Sequence, residues 1–134
     1  MEQIGEIREK HSTKQPLKMS SGHYHPENSK VTDNALAEFV RSPLSGNLLD
    51  VPGLGPATAE LLKAEGVHTS FQLVGKFLSF KDANVDSLLL CETFYQWLCE
   101  LNTPKGFRAG IVHALAEKIN ICFPGIYDVS AYDE

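Results

Sequence analysis

The stretch LLDVPGLGPATAELLKAEGV, Leu48 to Val67, decides how this chain reads. Its centre, PGLGP, packs two glycines and two prolines between two apolar, helix-like segments. Gly53 and Gly55 carry no Cβ, so the main chain can turn tightly and another molecule can approach it closely. Pro56 suits the first turn of a helix, where its missing N–H costs nothing. The pattern predicts a helix, a tight hairpin and a second helix that begins at once. The first free N–H groups and the positive end of the helix dipole then point at one place. Leu54, between the glycines, anchors the hairpin to the core. The candidate donors to a phosphate are the backbone N–H groups of Gly53, Leu54, Gly55, Ala57 and Thr58, with the Thr58 hydroxyl beside them. Such a site holds sugar-phosphate without reading bases. The plainer alternative is a compact helix–helix turn without a ligand, since Gly and Pro are ordinary punctuation there.

Outward from the hairpin, the apolar periodicity is helical throughout. Upstream, Thr32 or Asp33 caps a helix over NALAEFVR with Leu36, Phe39 and Val40 on one face, and Ser42-Pro43 ends it. A helical turn through Gly46 to Asp50 leads into PGLGP. Downstream, PATAELLKA places Ala57, Leu61, Leu62 and Ala64 inward, and Gly66 stops it. Thr69 and Gln72 form a capping box for SFQLVGKFL, with Phe71, Val74, Phe77 and Leu78 inward. Asp86 caps SLLLCETFYQWLCEL, and Asn102 closes it. Thr103-Pro104 opens a last helix with Phe107, Ile111, Leu115, Ile119 and Cys122 at spacings of four or three. The expectation is an all-α bundle of about five short helices over residues 32–125. Residues 1–31 read as a flexible polar tail in which Ile4, Ile7, Leu17, Met19 and Tyr24 are too scattered for a core. Residues 126–134 read as a short acidic tail.

Composition narrows the function. The chain has 134 residues, enough for one domain, and no apolar run approaches the ~20 residues of a membrane span. The first residues lack the apolar core of a secretory signal. Cys91, Cys99 and Cys122 all fall in apolar segments, which predicts reduced, buried thiols and an intracellular setting. His23 and His25, in HYH, lack a third ligand, so no metal is expected. His68 and His113 are isolated, with no nucleophile–base pair or nucleotide loop. No catalysis and no cofactor are expected. Net charge is −5 and uneven: residues 1–31 carry five Lys/Arg against four Asp/Glu, residues 32–134 seven against thirteen. An acidic domain is not the usual footprint of a nonspecific nucleic-acid binder.

From Phe39 to about Cys122, some two thirds of the chain, the sequence resembles the barrier-to-autointegration factor family. Phe39-Val40 with Pro43 and Gly46 resembles the end of that family's first helix and the turn after it. Gly53-Leu54-Gly55 resembles its GIG hairpin. Leu73-Val74-Gly75-Lys76-Phe77-Leu78 resembles its LGQFL segment, and Phe94-x-x-Trp97-Leu98 its FREWL segment. The final helix fits less clearly. The resemblance implies a non-catalytic nuclear protein, with nuclear and cytoplasmic location, that bridges double-stranded DNA as a homodimer. It places DNA contacts at Gly53, Gly55, Ala57, Thr58 and Lys105, and implies a dimer interface through Phe94, Trp97, Leu98 and the last helix, the plainer alternative for Trp97 being a core residue. It also implies LEM-domain proteins among the partners. Two basic elements of the family are missing. The helix after the hairpin reads Ala59-Glu60-Leu61-Leu62, with Lys63 nearby, and Asn34-Ala35 stands near the place of an N-terminal lysine. Each missing lysine removes about one counterion-releasing contact, so weak to moderate, salt-sensitive binding is expected. The alternative is a structural or protein-interaction module of the same fold that has lost DNA.

Overall fold

The computed structural model describes residues 22–133. It is all-helical, with no strand among the described residues. The five α-helices are α1 (Asp33–Arg41), α2 (Pro56–Ala64), α3 (Ser70–Ser79), α4 (Ser87–Glu100) and α5 (Arg108–Cys122). Short 3-10 turns lie at Pro26–Asn28, Leu48–Asp50, Lys105–Phe107 and Val129–Tyr132.

The local signals act where the sequence puts them. The side chains of Thr32, Thr69 and Asp86 each accept a backbone N–H three residues on, from Ala35, Gln72 and Leu89. Gln72 completes the box one residue early, taking the His68 N–H at 2.6 Å. Gly66 and Asn102 adopt the left-handed conformation, at φ 86° and 63°, and reverse the chain at the ends of α2 and α4. At both ends the following N–H reaches back to the helix, Val67 to Leu62 and Thr103 to Leu98, which satisfies carbonyls the helix leaves open.

Helix α5 is the hub. It packs against α1, α3, α4 and the Pro26–Asn28 turn, and most of its residues are buried. Ile111, Leu115 and Ile119 face the core as the spacing predicts. Phe107 and Cys122 do not. The 3-10 turn shifts Phe107 out of phase with α5, leaving it 51% exposed, and Cys122 is exposed at the far end. Only Cys91 of the three thiols is fully buried. In α3, Leu73 and Phe77 are the buried apolar residues, while Phe71 is 57% exposed and lies over Gly46. In α2 the inner face is Thr58, Ala59 and Leu62; Ala57 and Ala64 are exposed.

Two buried cations tie helix ends together. Lys118, on α5, points its ammonium at the carbonyls of Phe39 (3.0 Å), Val40 (3.1 Å) and Ser42, closing the C-terminus of α1. Arg108 donates to the Thr103 hydroxyl at 3.0 Å and the Thr103 carbonyl at 2.7 Å, just beyond α4. A charged donor on otherwise unpaired end carbonyls makes the stronger kind of hydrogen bond.

The folded body extends beyond residues 32–125 at both ends. Tyr24 is a core residue, 5% exposed, not a scattered tail side chain. Its N–H donates to Glu92 at 3.0 Å, and its hydroxyl lies 3.2 Å from that of Tyr127. Tyr132 packs edge-on against Tyr24, with ring centres 5.5 Å apart. Residues 29–31 then lie flush on α5: a Cβ at Gly110 would come within 2.8 Å of a Val31 methyl. Of the tail expected over residues 1–31, residues 1–21 lie outside the described residues.

Candidate nucleic-acid interface

The hairpin forms as its residue types dictate. The Leu48–Asp50 turn, capped by the Asn47 side chain, delivers Val51 into the core at 1% exposure. Gly53 takes φ 86°, which favours glycine. Leu54 is 5% exposed and pins the loop to the core, as expected. Gly55 is the extended N-cap of α2 and Pro56 is its first residue. Gly55 offers no side-chain cap, so the first-turn N–H groups of Ala57 and Thr58 have no acceptor within the helix.

The two glycines have different jobs. A Cβ at Gly53 would stand 3.4 Å from the Phe107 carbonyl and an Ile111 carbon, so the back of the hairpin rests on the start of α5. A Cβ at Gly55 would meet nothing within 4 Å. The open approach is therefore at Gly55. Two expected donors drop out. The Leu54 N–H is taken by the Val51 carbonyl at 3.0 Å, and Thr58, 2% exposed, turns its side chain into the protein. The remaining N–H groups on residues that keep surface are those of Gly53, Gly55 and Ala57.

The basic side chains divide likewise. Lys63 lies about 10 Å along α2 from Pro56 at the usual helical rise, and its ammonium is 3.7 Å from Glu60. It does not reach the hairpin apex. Lys105 is exposed in the turn whose last carbonyl, that of Phe107, backs Gly53. Lys30 joins it: its ammonium is 3.3 Å from where a Gly106 Cβ would stand. Lys30 and Gly53 also line one shallow hollow of about 260 Å³, with Val31, Pro52 and Phe107. No local pattern in the sequence singles out Lys30; only the folding of residues 29–31 over α5 brings it there.

On its other side the hairpin borders a larger groove of about 830 Å³, walled by Phe39, Pro43, Leu44 and Leu49 and lined by Glu38 and Asp50. Among the described residues, no Lys, Arg or His lines it. The hairpin residues themselves line this acidic, apolar groove, and Pro52, Gly53 and Phe107 are shared with the basic shoulder.

The expected dimer residues are placed differently. Phe94 and Leu98 are 0% exposed within one chain, Phe94 stacked against Phe77 and Trp97 at 5.1 and 5.5 Å. They are core residues and cannot form a seam without opening the domain. Trp97 retains some surface, but Lys76 sits over its ring at 5.0 Å.

The histidines of HYH have structural partners. His23 pairs with Glu92 at 2.9 Å, and His25 accepts the Glu27 N–H at 3.1 Å to cap the first turn. Among the described residues, no group of three or more His, Cys, Asp or Glu is placed to hold a metal ion. No described helix is long and apolar enough to cross a membrane. Burial pushes the Cys91 thiol up to about 12, which keeps it protonated and unreactive near neutral pH. The chain matches no family model, no curated protein and no solved structure.

Proposed function

We propose that the chain is a non-catalytic, sequence-independent binder of double-stranded DNA that holds sugar-phosphate on its hairpin. One observation carries the reading: the open N-terminus of α2. The N–H groups of Gly55 and Ala57 lie there without a side-chain cap, and among the described residues a Cβ at Gly55 would meet nothing within 4 Å. Lys105 and Lys30 on the adjoining shoulder supply the cationic part of the contact. Glu60, Glu38 and Asp50 oppose it, so affinity is modest and depends on short-range contacts. Bridging two duplexes requires two copies, and the reading carries a homodimer and a nuclear location with it. Because Phe94 and Leu98 are internal, the pairing surface lies elsewhere on the molecule.

The test is fluorescence anisotropy with a short labelled duplex of arbitrary sequence. With two lysine–phosphate contacts, affinity is expected to fall about tenfold between ~50 and ~200 mM salt. Gly55→Glu, at a position with ordinary φ and open space, is expected to abolish binding without loss of helicity. Absence of binding at the lower salt concentration would reduce PGLGP to a turn.

A further inference from the structure

The groove of about 830 Å³ is lined by hairpin residues Gly53 to Thr58, and its further lining by Phe39, Leu44 and Leu49 is not used in phosphate binding. We infer that the groove docks a cationic, apolar peptide segment of a partner protein. Its walls are formed by side chains that a lone domain has no need to display. Leu49 is 50% exposed and Phe107 51% exposed at its edges, with the half-buried Phe39 and Leu44 between them. Exposed apolar side chains gathered around one concavity mark an interaction surface more than scattered ones do.

Charge selects the occupant. The formally charged lining residues are Glu38, on α1, and Asp50, on the turn before the hairpin. Glu38 is paired at 2.8 Å with Arg41, but both side chains are 68% exposed, and a pair in that setting is readily exchanged. Asp50 accepts only the Ser45 hydroxyl, at 2.6 Å, among the described residues. A segment that enters apolar side chains between these carboxylates and offers each a Lys or Arg matches both the shape and the sign of the site. The folded part is itself acidic, with seven Lys/Arg against thirteen Asp/Glu over residues 32–134, which favours a basic partner segment over a second copy of this chain.

The test uses the full chain against a displayed library of random dodecapeptides. Enrichment of peptides that combine large apolar residues with Lys or Arg is expected. Leu49→Asp is expected to weaken the best of them at least tenfold, while Ile121→Asp, on an exposed residue at the far end of α5, leaves them unchanged. The pair Glu38→Lys with Asp50→Lys is expected to reverse the preference toward acidic peptides and to raise duplex affinity. Loss of cationic-peptide binding together with a gain in duplex affinity in one variant tells the two readings apart. Peptides that bind Leu49→Asp as well as the parent would overturn the proposal. So would the absence of enrichment, or a Leu49→Asp change that turns a dimer into a monomer, which would give the groove to a second copy.

Discussion

The hairpin face and the tyrosine clasp on the same helical body solve opposite problems. At the clasp, Tyr24, Tyr127 and Tyr132 draw residues from both ends of the described chain onto α4 and α5, and Glu92 takes up His23, the Tyr24 N–H and Gln96. The polar groups of Tyr24, Tyr127, His23, Glu92 and Gln96 find partners inside the protein, while the buried Tyr132 hydroxyl has no hydrogen-bond partner among the described residues. The hairpin face leaves N–H groups, apolar side chains and carboxylates open to whatever arrives. The difference separates residues that hold the fold from residues free to bind, and it can be broken at either end.

The largest effect is expected at the clasp. Tyr24→Ala removes a buried ring and its hydroxyl partner, and core aromatic truncations cost about 3–5 kcal/mol. Urea unfolding would measure it. If the loss stays within a few tenths, the first described residues are an accessory strap and the clasp is not part of the core.

Alkaline pH attacks the same cluster. Desolvation raises the Tyr127 phenol from its ordinary 10.0 to about 12, and the Cys91 thiol from 9.0 to about 12. A raised value in the folded state means that the unfolded chain ionises first. The stabilisation is complete below pH 9 and drains away between about 9 and 12. Tyrosinate absorbance and circular dichroism should therefore change together, and Tyr127→Phe should shift that transition upward. Ionisation without unfolding would show that the clasp opens locally.

Lys118→Met should cost about 1–3 kcal/mol, because three carbonyls at the end of α1 lose their charged donor. Thermal unfolding gives the number, and amide exchange in α1 shows whether that helix frays first.

The smallest effect separates the two glycines. Gly53→Ala should destabilise by about 1–2 kcal/mol through its left-handed backbone, whereas Gly55→Ala should change stability by under about 0.5 kcal/mol. Equal costs would remove the distinction between a glycine that shapes the turn and one that leaves it open.

What the sequence discloses follows from how far apart the interacting residues are. Thr32, Thr69, Asp86, Gly66 and Asn102 act on backbone within a few residues, so the helix limits can be read directly. The hairpin is equally local, and its uncapped helix start follows from Gly55 and Pro56. Lys118 and Arg108 read as ordinary surface cations of an amphipathic helix; nothing nearby announces that Lys118 answers carbonyls more than 70 residues away. Tyr24 escapes for the same reason, since Glu92 and Tyr127 lie 68 and 103 residues on. Phe71 and Phe107 fail differently. Their periodicity is helical, but one opens a helix at the edge of the body and the other sits in a 3-10 turn, so the phase breaks where each is placed.

The buried ammonium of Lys118 has a consequence for how the protein meets its surroundings. It fixes the end of α1, which walls the groove, from a position that is 8% exposed and beyond the reach of mobile ions. Lys105, in contrast, stands in solvent, where added salt dilutes its pull. If the proposed duplex binding holds, raising ionic strength should strip the duplex from the shoulder while the groove keeps its shape. A change of salt would then adjust one of the two surfaces and leave the other set.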